Sequence, residues 1–568
     1  MLIDGNTRAT EGVVETDICV IGAGPAGISF AREFAGADVR VAVLESGHFK
    51  FDQQIQDQAV GVLDNYYWDS NAISDGRQKQ FGGTSNMWVY NTVPDDERRY
   101  ARCVPPEEID FTGYANQPDQ CWPMPLTDLE PFYRRAQVVW NGGKFDYHVS
   151  TWSDAETPAV PTGSVVETRI SQHGPRDVFS LHYRDDLLLA PNLDVYLGCT
   201  ALALQSDGAA SKAERLRVAR PDGRSFTVKA KIFVLACGGV ENVQLLLLSD
   251  ATKPGAVGNR HDNVGRYITT HPDFRMGTVV PSDREIFDLL ALYDLRWVDR
   301  YMVSGFFTIA EEVKKAEQLL NMSVALIPRG DGFGTKAHQA MTSLSSAVRR
   351  RERLSGGAAS LRSIVVSPKD AIAALSHRKT RHFEEWRGGW SRPEVDRSDF
   401  SSIELWASPE QTADRDNMYT LSRASDRLGR NRIKFDWEWS EADRENIERS
   451  VEIFGSQLEA NGLGRFRRWL DFEGPARPMQ QGLHHPMGGT RMHVDPRLGV
   501  VDENCLVHGL SNTYVAGSSA FPNGLGYANP TLTLLALTVR LADRVKAELG
   551  LAGAQPSSNP AQVYDVAG

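Results

Sequence analysis

A chain of 568 residues exceeds what one hydrophobic core organises, so two domains are expected. Hydrophobic content of 41% with 24% charged residues suits a globular enzyme, and a net charge of −11 argues against nucleic acid as a partner and gives no attraction to acidic membranes. The six cysteines (Cys19, Cys103, Cys121, Cys199, Cys237 and Cys505) are scattered without CxxC or zinc spacing, so no metal centre and a reducing compartment are expected. Met1-Leu2-Ile3-Asp4-Gly5 lacks the basic and apolar regions of a signal peptide, and the best apolar segment near the end is broken by Arg540, Asp543 and Arg544. A soluble cytoplasmic protein is the resulting expectation.

Residues 16–47 read as strand, glycine turn, helix and strand. Ile18 to Ile21 is a short apolar run, Gly22 to Gly27 the turn, Ile28 to Phe34 the helix start, and Val39 to Leu44 a second strand ending at Glu45. Thr127-Asp128-Leu129-Glu130 has the pattern of a capping box and predicts a helix through Trp140. Ile232 to Gly239 resembles a buried parallel strand that closes on glycines and leads into a helix over Glu241 to Leu248. The stretch 334–395 sets Arg349, Arg350, Arg351, Arg353, Arg362, Lys369, Arg378, Lys379 and Arg381 among Ser, Gly and Ala. It reads as a solvated basic insertion, with a gating arm or an oligomer contact as the alternatives.

Ser440, followed by Glu441 and Asp443, opens a helix expected to end near Gly462. Asn512 to Gly517 is a third strand-like run, and Asn529-Pro530 starts a last helix to about Gly550, with proline suited to the first helical position. A mobile tail follows over 551–568. Buried parallel strands alternating with helices predict a doubly wound α/β domain assembled from dispersed pieces, 1–100, 190–270 and 480–550. A second domain would then occupy 101–189 and 271–479.

Gly22, Gly24 and Gly27 form GxGxxG between a strand and a helix. The first glycine permits a tight turn, the second lets a pyrophosphate approach the backbone, and the third allows close helix–strand packing. Glu45 stands where a carboxylate accepts hydrogen bonds from a ribose. This fingerprint serves NAD and FAD alike. The segment Phe81-Gly82-Gly83-Thr84-Ser85-Asn86-Met87-Trp88 can lay backbone amides and small side chains against a flavin ring, which favours FAD.

Near the end, His485-Pro486-Met487-Gly488-Gly489-Thr490-Arg491-Met492 reads as a loop, and Gly526-Tyr527-Ala528-Asn529-Pro530-Thr531-Leu532-Thr533 enters the last helix. Together with the first 50 residues and 81–88, these segments resemble the glucose–methanol–choline (GMC) oxidoreductases. Weaker echoes occur at Trp122-Pro123, Glu241-Asn242, Asn263-Val264-Gly265-Arg266 and His271-Pro272, while about 275–400 matches nothing recognisable. The resemblance implies a Rossmann-like FAD domain interleaved with an α+β substrate domain on an antiparallel sheet. It implies His485 as catalytic base and Asn529 as its partner, a His/Asn pair like that of the pyranose-oxidase-like and cholesterol-oxidase-like branches. Gly22, Gly24, Ala26, Gly27, Glu45, Gly83, Thr84, Ser85, Trp88, Gly517, Asn529 and Thr531 are the expected cofactor contacts. In pyranose oxidases a histidine immediately before the tryptophan of the 81–88 motif anchors the flavin covalently. This chain has Met87 there, so the FAD is expected to be non-covalent.

The chemistry suits these side chains. Oxidising an alcohol removes the hydroxyl proton while the carbon-bound hydrogen leaves as hydride, and a neutral imidazole serves as the base. A carboxamide donates to the oxygen as alkoxide character develops, without adding charge. Each residue also has a structural reading. Asn529 would cap the last helix, Thr531 would complete its first turn, and His271 and His508 would be structural; His484 is the other candidate base. Trp386, Trp390, Trp406, Trp437 and Trp439 either stack on a sugar or fill the core. The expected substrate is a sugar, glycoside or polyol, with O2 or a quinone-like acceptor and a possible homo-oligomer. A sterol or other alcohol, a non-redox lyase on the same fold, and a flavin-bound interaction protein are the alternatives.

Overall fold

The computed structural model describes residues 1–551, apart from 8–9, 65–66, 92–97, 114–117, 250–256, 332, 334, 336–337, 339, 342–367, 370–371, 373–379, 381–382 and 470–482. Most of the basic insertion and all of 552–568 therefore lie outside the described residues.

Two eight-stranded sheets organise the chain. In the first, Val13–Ile21 lies between Val41–Leu44 and Ser225–Leu235, all parallel. Leu193–Leu197 and Leu2–Asp4 extend one edge, and Thr513–Val515 pairs in parallel with the end of Ser225–Leu235. Ala213–Ala219 and Thr200–Ser206 add an antiparallel ribbon on the other side. Ile18, Cys19, Val20, Phe233, Val234 and Leu235 are almost wholly buried, as strands covered on both faces must be. Helix Pro25–Arg32 packs on this sheet, helix Pro530–Glu548 packs on Pro25–Arg32, and Leu126–Trp140 packs against Pro530–Glu548.

The second sheet is antiparallel throughout. Its strands run in the order Arg465–Arg468, Phe274–Val280, Ser402–Pro409, Met322–Arg329, Tyr301–Ile309, Val166–Pro175 and Tyr100–Cys103, and Arg296–Val298 pairs with Tyr301–Ile309. The doubly wound domain with an antiparallel companion is the α/β architecture the motifs predict.

Several boundaries follow the local chemistry. Helix Glu441–Ala460 opens on the capping box, with the Ser440 hydroxyl and the Asp443 carboxylate each accepting from the other's backbone N–H. The capping box expected at Thr127 does not form. The helix begins at Leu126 with Pro125 as its cap, which leaves Thr127 inside the first turn, where its hydroxyl cannot serve as a cap. Helix Glu241–Leu248 has the bounds expected for it. Among the described residues all six cysteines are free, no helix is long and apolar enough to cross a membrane, and no cluster could hold a metal ion.

Gly27 carries the contact between the first helix and the sheet. A Cβ there would sit 1.9 Å from the Gly22 carbonyl oxygen, which is backbone and cannot swing away. Gly27→Ala is expected to destabilise the fold by about 1–3 kcal/mol, the scale of core overpacking, and to lower the thermal unfolding midpoint. Gly208→Ala, with nothing within 4 Å of the added carbon, is the control expected to leave the midpoint unchanged.

Candidate active site

One cavity of about 740 Å³ runs from the glycine turn to the loop before the last helix. At one end Gly22, Gly24, Pro25, Ala26 and Glu45 line it. Gly22 needs its left-handed backbone (φ 106°) and has the Ala236 carbonyl oxygen 2.4 Å from where a Cβ would stand. Gly24 has no such crowding, its nearest neighbour being the Gly83 Cα at 3.8 Å, so its backbone stays open to the cavity. Glu45 is buried and accepts from the Ala23 amide at 2.9 Å and the Gly47 amide at 2.7 Å. Its carboxylate therefore braces the turn as well as lining the site, a role its position in the motif does not reveal. Gly83, Thr84, Ser85, Met87 and Trp88 form the adjoining wall, with Gly517 and Thr531 opposite. The Ser85 hydroxyl is engaged with the Gly82 carbonyl at 2.7 Å. Gly27 lies behind the turn, in packing.

His485 and Asn529 meet at the far end. The His485 loop is clamped on two sides. Thr269 and Met487 exchange backbone hydrogen bonds of 3.0 Å, and the Ser518 hydroxyl donates to the Pro486 carbonyl at 2.7 Å. The loop carrying Asn529 is shaped by the antiparallel domain's flank. Asn523 Nδ2 donates to the Asp110 carbonyl at 2.7 Å, and Gly526 (φ 60°) leaves no room for a Cβ, which would lie 2.3 Å from Asp110 Oδ1.

Asn529 heads the last helix, yet its side chain makes no capping bond. Its Oδ1 accepts from Arg102 Nη1 at 2.9 Å, and its Nδ2 lies 3.3 Å from His485 Nε2. A guanidinium only donates, so this contact fixes which end of the carboxamide is oxygen. The amide nitrogen must then donate to His485 Nε2, which assigns that nitrogen a lone pair and puts the ring proton on Nδ1. Nδ1 is buried without a partner.

The surroundings keep this imidazole neutral. Removal from bulk water pushes the His485 pKa well below its ordinary 6.5, and His271, His484 and Arg102 push the same way. His271 packs edge-on against His485 at 5.3 Å and bonds the Gly524 carbonyl at 2.8 Å; burial brings it down to about 4. His484 also lines the cavity but is exposed. His508 bonds the His493 carbonyl at 2.8 Å and does not line the cavity. Of the five tryptophans, only Trp386 lines the cavity; Trp390, Trp406, Trp437 and Trp439 are buried in the core.

Sequence reading misses Arg102, Tyr90, Asp273, Ser408 and Glu385, all of which line the cavity. Arg102 sits in the edge strand Tyr100–Cys103, buried, its guanidinium 4.6 Å over the Phe306 ring. Nothing about that strand's pattern marks it. The residues present fit a dinucleotide with a fused ring system. An open glycine backbone faces the first turn of a helix without a side-chain cap, and an orphaned imidazole nitrogen stands at the other end of the same cavity.

Residues 413–538 match the family model "GMC oxidoreductase". The chain is 25% identical over 363 residues to the fructose dehydrogenase large subunit of Gluconobacter japonicus, covering 64% of this chain and 54% of that protein. It is 24% identical over 317 residues to the 6'''-hydroxyparomomycin C oxidase of Streptomyces lividus, covering 46% of this chain and 56% of that protein. The chain thus spans about half the length of the curated relatives it matches. Among solved structures, pyridoxine 4-oxidase from Mesorbium loti superposes with a TM-score of 0.50 at 16% identity, over 94% of this chain and 99% of that one. A fungal aryl-alcohol oxidase gives 0.51 at 12% identity, over the same shares. Both likenesses concern the fold.

In a histidine-selective NMR titration, His485 is expected to stay neutral at pH 6.5 and to protonate only well below it. Arg102→Met, which removes a nearby positive charge, is expected to raise that midpoint toward 6.5.

Proposed function

We propose that this chain, whose carboxy-terminal part belongs to the GMC oxidoreductase family, binds FAD without a covalent link and oxidises an alcohol of a sugar, glycoside or polyol to a carbonyl. The observation that carries the reading is the His485–Asn529 pair, held by Arg102 at the end of a cavity that begins at a dinucleotide turn. Gly22, Gly24, Ala26 and the free amides of helix Pro25–Arg32 would hold the diphosphate, and Glu45 the ribose. Gly83, Thr84, Ser85, Gly517 and Thr531 would border the ring system. When bound, the flavin supplies the two-electron acceptor that the side chains lack.

The chain's own groups handle the proton. The substrate hydroxyl would take the place of the Asn529 amide on the one lone pair of His485 Nε2, and the imidazole is neutral across the physiological range. Asn529 Nδ2 donates to the same oxygen as negative charge builds there, with no charge to compete for the proton. Arg102 holds the amide's oxygen end, so the donor end stays turned toward the imidazole. Support for a carbohydrate substrate comes from the fructose dehydrogenase and hydroxyparomomycin oxidase relatives and from the polar cavity wall at Tyr90, Asp273, Ser408 and Glu385. Electrons pass to O2 or to a quinone-like acceptor.

An anaerobic screen of sugars, glycosides, sterols and simple alcohols, read as bleaching of flavin absorbance, tests the reading. Substrate turnover without bleaching would favour the lyase alternative. His485→Ala and Asn529→Ala are each expected to slow flavin reduction by at least about 100-fold, the scale of lost acid–base or oxyanion support. The reduction rate should be level from pH 8 to 6.5 and decline only further into acid, because the base must be unprotonated and its pKa lies below 6.5. Acid precipitation should release all the flavin; a pellet that stays yellow would overturn the argument from Met87.

A further inference from the structure

Arg77 and Lys79 line the cavity together with Glu241, which pairs with them at 2.6 and 3.1 Å, and Arg430 is paired with Asp426 at 2.8 Å. Glu385, Asp273 and Arg102 line it as well. The consecutive residues Glu384 and Glu385 differ in how they are satisfied. Glu384 is ion-paired with Arg329 at 3.2 Å, within the buried group around Glu404. Glu385 accepts one hydrogen bond, from the Tyr90 hydroxyl at 3.2 Å, and no described cation lies within ion-pair distance of it.

A carboxylate offers about four acceptor sites, and leaving most of them empty away from water is costly. Removal from water holds Glu385 above its ordinary range, and Arg102 opposes this only through space. Glu385 keeps partial exposure and lines the cavity, so a cation there finds open acceptor sites on its carboxylate. Asp273 shares the wall, accepts from the Ser408 hydroxyl and lies within electrostatic reach of Tyr90. The half-buried Trp386 follows Glu385 in the chain and also lines the cavity.

We infer that the alcohol oxidised here carries a protonated amine, as in an amino sugar or aminocyclitol, and that its ammonium docks on Glu385 and Asp273 while a hydroxyl of the same molecule meets His485. This rests on the alcohol-oxidation reading and narrows its substrate class. The ammonium of an amino sugar, acidified by the oxygens on neighbouring carbons to about the range of an α-amino group near 7.7, is still charged at the neutral and mildly acid pH at which His485 is neutral. Glu385 selects the substrate and takes no part in the proton transfer.

The test uses the FAD-loaded enzyme and matched pairs, glucosamine against glucose and N-acetylglucosamine, and 2-deoxystreptamine against myo-inositol. Binding is followed by calorimetry and flavin reduction by anaerobic stopped flow. The amines are expected to bind and to reduce the flavin at least about tenfold more effectively than their neutral partners. Glu385→Gln and Asp273→Asn should each shrink that ratio, and Glu385→Asp should restore part of it. Neutral compounds that reduce the flavin as well as the amines would overturn the inference and leave alcohol oxidation standing. Selective amine binding without any reduction would overturn the oxidation reading instead. Should a variant fail to fold, the wild-type ratio decides.

Discussion

The hydrogen bond from Arg102 to Asn529 joins the two halves of this molecule at the end of the cavity. Arg102 belongs to an edge strand of the antiparallel sheet, and Asn529 to the helix that closes the parallel one. Neither sheet alone presents a usable site. The parallel sheet supplies the glycine turn and the helix start, and the antiparallel sheet supplies the guanidinium that orients the carboxamide. Because a guanidinium cannot accept, the orientation of Asn529 is decided by chemistry, and the lone pair on His485 follows from it.

The same arrangement sets the electrostatics. A buried cation near an imidazole adds to the cost of protonating it, as do the two neighbouring histidines. The imidazole is therefore kept neutral by its surroundings, with its Nδ1 left unpartnered. Buried polar groups left unsatisfied in this way tend to mark functional centres, where stability is sacrificed for reactivity.

Local reading succeeds where a residue's role is set by its immediate neighbours. Ser440 caps its helix because Asp443 stands three positions on, and Gly27 must be glycine because Gly22 turns back against it. It fails where a neighbour in sequence competes. Pro125 takes over the helix start assigned to Thr127, and Arg102 draws off the side chain that would have capped the last helix. The tryptophans between 386 and 439 look alike in sequence, yet packing buries four of them and leaves Trp386 facing the cavity.

By itself the sequence determined the alternation of buried strands and helices and the glycine turn, since each is written in short-range spacing; the pairing of His485 with Asn529, 44 positions apart, was implied by the family resemblance and not by spacing. Only the tertiary structure decided that Glu45 braces the turn, that Arg102 fixes the carboxamide, and that Tyr90, Asp273, Ser408 and Glu385 form one wall. Those residues come from strands and loops hundreds of positions apart. A polar side chain on a strand carries no mark of what it will face until the sheets close over the cavity.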